Sequence, residues 1–190
     1  MIDNWWTLKL NVLKIYEKTG NKLALARTYN EILENSTNCK YWFGMNGEEA
    51  KKIRDELISF GEKAIKILTE EIENNFELAR AYCWTSWYYT LNNSIYNIGL
   101  FKKEEIEKGL KYSKKALEIS KKIEDKWLLS WSYQSAAFAA NLENDLISAI
   151  KLSKRQLIEG RITKDHYLLG LGQTFFIMFS QSKARIEEDP

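Results

Sequence analysis

Apolar residues recur at three- and four-residue steps along most of the chain, with short polar breaks between the runs, and this spacing predicts α-helices. The first spans about 3–18, with Trp5, Trp6, Leu8, Val12, Leu13, Ile15 and Tyr16 as its apolar set, Asp3 as cap and Gly20 as stop. The second covers about 21–34, with Leu23, Ala26, Tyr29 and Leu33 in step. Residues 36–47 read as a loop whose Tyr41-Trp42-Phe43 folds back onto the body. A third helix, capped by Asn46, runs over 47–74, long enough that a kink or break is expected near Gly61. Asn75 caps a fourth over about 76–91, densely aromatic, and 92–100 is irregular. Helices over 103–123, 125–142, 145–161 and 165–187 bring the set to eight. Their short connections make sequence neighbours antiparallel.

The second half repeats itself. Tyr82-x2-Thr85-Ser86-x2-Tyr89 aligns with Tyr133-x2-Ala136-Ala137-x2-Ala140 and with Leu168-x2-Leu171-Gly172-x2-Phe175. Each places a large residue, then a small one four positions on, where two helices can approach closely. Each of the first two is followed by a second helix type, Gly109-Leu110-Lys111-Tyr112-Ser113-x2-Ala116 and Ala149-Ile150-Lys151-Leu152-Ser153. Ala64-Ile65-Lys66-Ile67-Leu68 is a weaker copy, with Leu25-Ala26-x2-Tyr29 as its first-helix partner.

The step from Ala137 to Gly172 resembles the tetratricopeptide repeat, a helix-turn-helix unit of about 34 residues. Leu171-Gly172-x2-Phe175 stands where that family has Leu-Gly-x-x-Tyr, and Ala149 stands for the small residue of the second helix. No repeat ends in the family's Pro, because the sole proline is Pro190. The resemblance implies an all-α domain over 1–190 with antiparallel helix pairs stacked as a right-handed superhelix. The pairs are divergent over 1–75 and clearer over 76–187. A plain helical bundle is the alternative for the same pattern.

Composition agrees with an all-α chain. Of the 190 residues, 45% are hydrophobic and 28% charged, and nine Gly leave little turn chemistry for an all-β fold. The formal net charge of +2 argues against a dedicated polyanion binder. Lys108, Lys111, Lys115 and Lys122 share a stripe, but Glu104, Glu107 and Glu118 are interleaved with them as on an ordinary solvated helix. Six Arg stand against 22 Lys, few for specific base or phosphate recognition. No nucleic-acid partner is expected. Cys39 and Cys83 match no metal spacing, the N-terminus does not read as a signal peptide, and no apolar run approaches the ~20 residues that span a bilayer. The expectation is a cytoplasmic protein with reduced thiols and no membrane partner.

The lone histidine, His166, cannot build a His-rich zinc site or a paired Glu-x-x-His di-iron site. No nucleophile elbow exists, and Gly170-x-Gly172 lies inside an apolar helical pattern rather than a phosphate loop. No catalytic residue, metal or cofactor is expected. The aromatic residues are more informative. In the resembled family the first helix of each pair lines a concave groove. Carried over by position, that groove holds Arg80, Cys83, Trp87, Trp131, Gln134, Phe138, Asn141, His166 and Gln173, with Arg27 and Asn30 if the first pair is real. Aromatic anchors beside amides suit a protein or peptide partner. On this reading Trp87, Trp131 and Phe138 face a cavity partly open to solvent, and Tyr82, Tyr89 and Tyr133 are core. The rival reading is a regulatory or oligomerisation module of the kind found in larger signalling proteins, working through its terminal helices. Phe175-Phe176-Ile177-Met178-Phe179 is apolar around a whole helix circumference, so Phe175, Phe176 and Phe179 are candidates for a homodimer contact.

Overall fold

The helices begin where Asn and Asp precede apolar periodicity. A computed structural model of the protein, describing residues 2–37, 47–96 and 103–188, contains eight helices and no strand among those residues. They are α1 (Ile2–Thr19), α2 (Lys22–Thr37), α3 (Gly47–Glu70), α4 (Asn75–Tyr96), α5 (Lys103–Ile123), α6 (Lys126–Leu142), α7 (Leu146–Thr163) and α8 (His166–Glu188). Five carry an N-terminal side-chain cap. Asn21 accepts from the Ala24 amide at 3.1 Å, Asn74 from Glu77 at 3.0 Å and Asp125 from Leu128 at 2.7 Å. Asp145 accepts from Ser148 and Asp165 from Leu168, each at 3.0 Å. Each satisfies an amide that has no partner within its helix. The cap of α4 is thus Asn74 rather than Asn75, and Asp3 lies within α1 rather than ahead of it. Gly20 ends α1 in the left-handed region at φ +68°. The expected positions of Cys39, Tyr41-Trp42-Phe43 and Asn46 lie outside the described residues.

Two layers result. The hairpin pairs α2–α3, α4–α5 and α6–α7 stack in sequence, α6 packing on both α4 and α5, and α8 on both α6 and α7. The even-numbered helices adjoin one another in one layer, and α3, α5 and α7 back them in the other. Helix α1 packs beside α2 and reaches α3 through Trp6 against Phe60, ring centroids 6.4 Å apart.

Small residues sit where helices cross. The Ser86 hydroxyl donates to the Gly109 carbonyl of α5 at 2.8 Å, and Ser135 of α6 donates to Ser86 at 2.9 Å. A side chain at Gly172 would press on Leu157 of α7 at 2.9 Å. Helix α3 does not break at Gly61. That glycine is there for a neighbour: a Cβ would stand 2.0 Å from Thr85 Oγ1 of α4.

Three helices carry long stretches without charge: 81–96 of α4, 127–142 of α6 and 167–182 of α8. In α4 every residue over 81–90 is buried, and in α6 every residue over 128–140 except Tyr133. A helix apolar on all sides has to be surrounded. The hydroxyl groups of α4 find partners in its neighbours: Tyr88 donates to the Leu33 carbonyl of α2 at 2.7 Å and Tyr89 to Glu62 of α3 at 2.7 Å. Tyr133, expected in the core, is only half-buried.

Candidate functional site

The aromatic residues of α4, α6 and α8 form one chain of ring contacts. Trp84 of α4 lies 4.7 Å from Trp131 of α6, Trp87 lies 5.9 Å from Trp131 and 5.7 Å from Phe138, and Phe138 lies 4.4 Å from Phe175 of α8. Most meet edge to face, the arrangement that ring quadrupoles favour. Trp87 is 6% exposed, Trp131 4% and Phe138 3%. The expectation that they face a cavity open to solvent is therefore not met. Their surface is spent on one another, in the interior between α4, α6 and α8.

The rest of the expected groove set divides. Gln134 is fully buried and accepts from Gln156 Nε2 of α7 at 2.7 Å. Arg80 belongs to an ionic network between α2 and α4. Its guanidinium donates to Glu34 at 2.5 Å and to Glu77 at 3.0 Å, and Glu77 also accepts from Asn30 Nδ2 at 2.8 Å. Arg27 Nε approaches Glu77 at 3.3 Å. Burial works against the Arg80 charge, yet the two carboxylates more than offset it and raise its pKa. Removing either partner would strand a desolvated charge, so this network has a structural role. Asn141 is half-buried near the end of α6, while His166 and Gln173 are exposed on α8. Cys83 is buried, and burial pushes its thiol up to about 12 despite a hydrogen bond from Ser132. These residues do not share one accessible surface.

Helix α8 corrects the expected dimer residues in the same way. Phe179 is fully buried and Phe175 nearly so, both against Phe138. Phe176 is half-buried, with the Lys154 ammonium 5.5 Å from its ring centroid. The reason is helical phase. Leu168, Gly172, Phe175 and Phe179 follow at steps of four, three and four, one stripe, and that stripe meets α6 and α7.

The opposite side of α8 is open. Ile177 is 52% exposed and Met178 39%, while Tyr167, 51% exposed, lies at the edge of this side with its ring 6.1 Å from Trp131 of α6. Gly170 shares this side, and a Cβ there would meet nothing within 4 Å. Sequence reasoning missed Tyr167, Ile177 and Met178 because it took the densest aromatic run as the surface. The repeat pattern itself held the signal: once Leu168, Gly172 and Phe175 are assigned inward, Ile177 and Met178 fall outward. Among the described residues, no three His, Cys, Asp or Glu side chains gather as a metal-holding group, and no helix is long and apolar enough to cross a membrane. No protein-family model matches the chain, and no curated protein matches it in sequence.

Proposed function

We propose that the chain is a non-catalytic protein-interaction module, a tetratricopeptide-like array that docks through the open face of α8. One observation carries this reading. Three helices have charge-free stretches of the same kind; in two of them a core is buried all round, over 81–90 and over 128–140 apart from Tyr133, while the third is buried along one stripe. A helix that places Ile177 and Met178 in water leaves apolar area whose burial is worth ~25 cal/mol per Å2. Gly170 supports the reading, since a glycine inside a helix costs about 0.5–1 kcal/mol and nothing among the described residues requires it here. A partner helix crossing close to the backbone would require it.

A second copy of the chain is the first occupant, because one self-complementary patch closes a two-fold dimer without leaving a new edge. The same surface would serve a protein or peptide partner. The absence of chemistry is argued from what the candidate groups do. Cys83 is a buried thiol that stays protonated at neutral pH, and His166 sits exposed at the first position of α8. No cofactor, nucleic acid or membrane enters this reading, and a free buried thiol suits a reducing, cytoplasmic setting. Sedimentation equilibrium at micromolar concentration tests it. A concentration-dependent dimer is expected, and the double substitution Ile177→Ser with Met178→Ser should leave a monomer with unchanged helicity. A wild-type chain that stays monomeric throughout would remove the dimer.

A further inference from the structure

Helices α5 and α7 pack on α6 more than on each other, and an open hollow of about 700 Å3 lies between them. Four cations line it: Lys121 from α5 and Lys151, Lys154 and Arg155 from α7. No carboxylate lines it, and none of the four forms an ion pair with a described residue. The nearby acids are engaged elsewhere. Glu118 pairs with Lys122 at 2.8 Å, Glu159 with Lys126 at 3.5 Å, and Asp145 caps α7 while also feeling Lys151. Two of the cations stand near aromatic rings. Lys121 stands 5.9 Å from the centroid of the Tyr133 ring, and Lys154 stands over Phe176 of α8. This is where Tyr133 went when it did not enter the core: it lies at the floor of the hollow.

The rim is not purely basic. Ile158 lines the hollow and is 47% exposed, and Ile147 and Ile162 lie on the same side of α7 at 56% and 57%. Ile147, Lys151, Arg155, Ile158 and Ile162 follow at steps of four, four, three and four, so cations and isoleucines share one outward stripe. A polyanion alone would neutralise the cations and leave the isoleucines in water. A nucleic acid strand would also want free aromatic faces for its bases, and the one ring here is already covered by Lys121.

We propose that the α5–α7 hollow is a docking site for a short acidic segment of a partner protein, with carboxylates meeting Lys121, Lys151, Lys154 and Arg155 and an aliphatic or aromatic side chain seated on Ile158 and Leu152. Charge complementarity sets its orientation and approach, and the apolar anchor supplies the contact that salt does not screen. The inference rests on the reading of the chain as an interaction module, but not on its α8 surface.

The test is selection of short random peptides displayed on phage against the full chain, with affinities of the winners measured by fluorescence anisotropy. Enriched peptides should place Asp or Glu beside Leu, Ile or Phe. They should weaken as salt rises, and lose at least about tenfold in affinity on Lys151→Glu with Arg155→Glu, a pair of exposed substitutions that should leave the melting curve unchanged. Ile158→Ser should cost several-fold. Ile177→Ser on α8 should cost nothing; if it alone abolishes binding, the peptides sit on α8, and the hollow is overturned while the α8 reading stands. No acidic-apolar enrichment, or equal binding to the charge-reversed chain, overturns the proposal. A single-stranded oligonucleotide that binds more tightly than any selected peptide, and is lost on the same charge reversal, does so as well.

Discussion

Helices α4 and α8 are built from the same materials and meet different fates. Each has a charge-free run rich in Tyr, Trp or Phe, and each puts a small residue, Ser86 or Gly172, at a close crossing. Helix α4 has α2, α3, α5 and α6 around it, so all of 81–90 is buried. Helix α8 has α6 and α7 on one side only, so Phe175 and Phe179 are inside while Ile177 and Met178 are outside. Composition sets how much surface a helix wants covered. Place in the stack sets how much of it is. The shortfall between the two is the apolar area that α8 leaves in water at Ile177 and Met178.

The comparison makes its largest prediction at the aromatic chain. Trp131→Ala removes a ring that touches Trp84, Trp87, Trp127 and Tyr167, and it should destabilise the fold by about 3–5 kcal/mol. Thermal melting should show a fall of roughly 6–20 °C for a chain of this size. Ile177→Ser on α8, measured in the monomer, should stay within about 0.5 kcal/mol. If the two substitutions cost the same, burial does not separate the helices as described.

Glycine gives a sharper pair of probes. Gly61→Ala would drive a methyl into Thr85 of α4, and a loss of about 1–3 kcal/mol is expected by denaturant titration. Gly170→Ala on α8 meets open space within the chain, so the isolated monomer should gain up to about 1 kcal/mol from helix propensity alone. The same substitution should weaken the dimer if a second helix crosses close to Gly170. A variant that is both more stable and equally dimeric would mean the crossing lies elsewhere on α8.

Much of the fold was legible. Helix α5 was placed residue for residue, and the Asp caps of α6, α7 and α8 follow from short acidic breaks before apolar runs. Gly61 shows the limit. Inside a long helix a glycine reads as a weak point, and only the packing of α4 shows it to be a close-approach site. Trp87, Trp131 and Phe138 show it again. The expected set was correct that they come together and incorrect that they stay open, because periodicity marks which residues share a face without saying what lies opposite.

By itself, then, the sequence determined the helices, their caps and the small residues at their crossings, all of which depend on neighbours within a few positions along the chain. The tertiary structure decided which apolar faces were covered and which cations gathered without a described carboxylate to pair them. Those outcomes depend on residues far away in sequence, such as Phe138 against Phe179 or Lys121 beside Arg155. Helical phase fixes the direction of a side chain relative to its own axis. Only the arrangement of the other axes determines whether that direction ends in protein or in water.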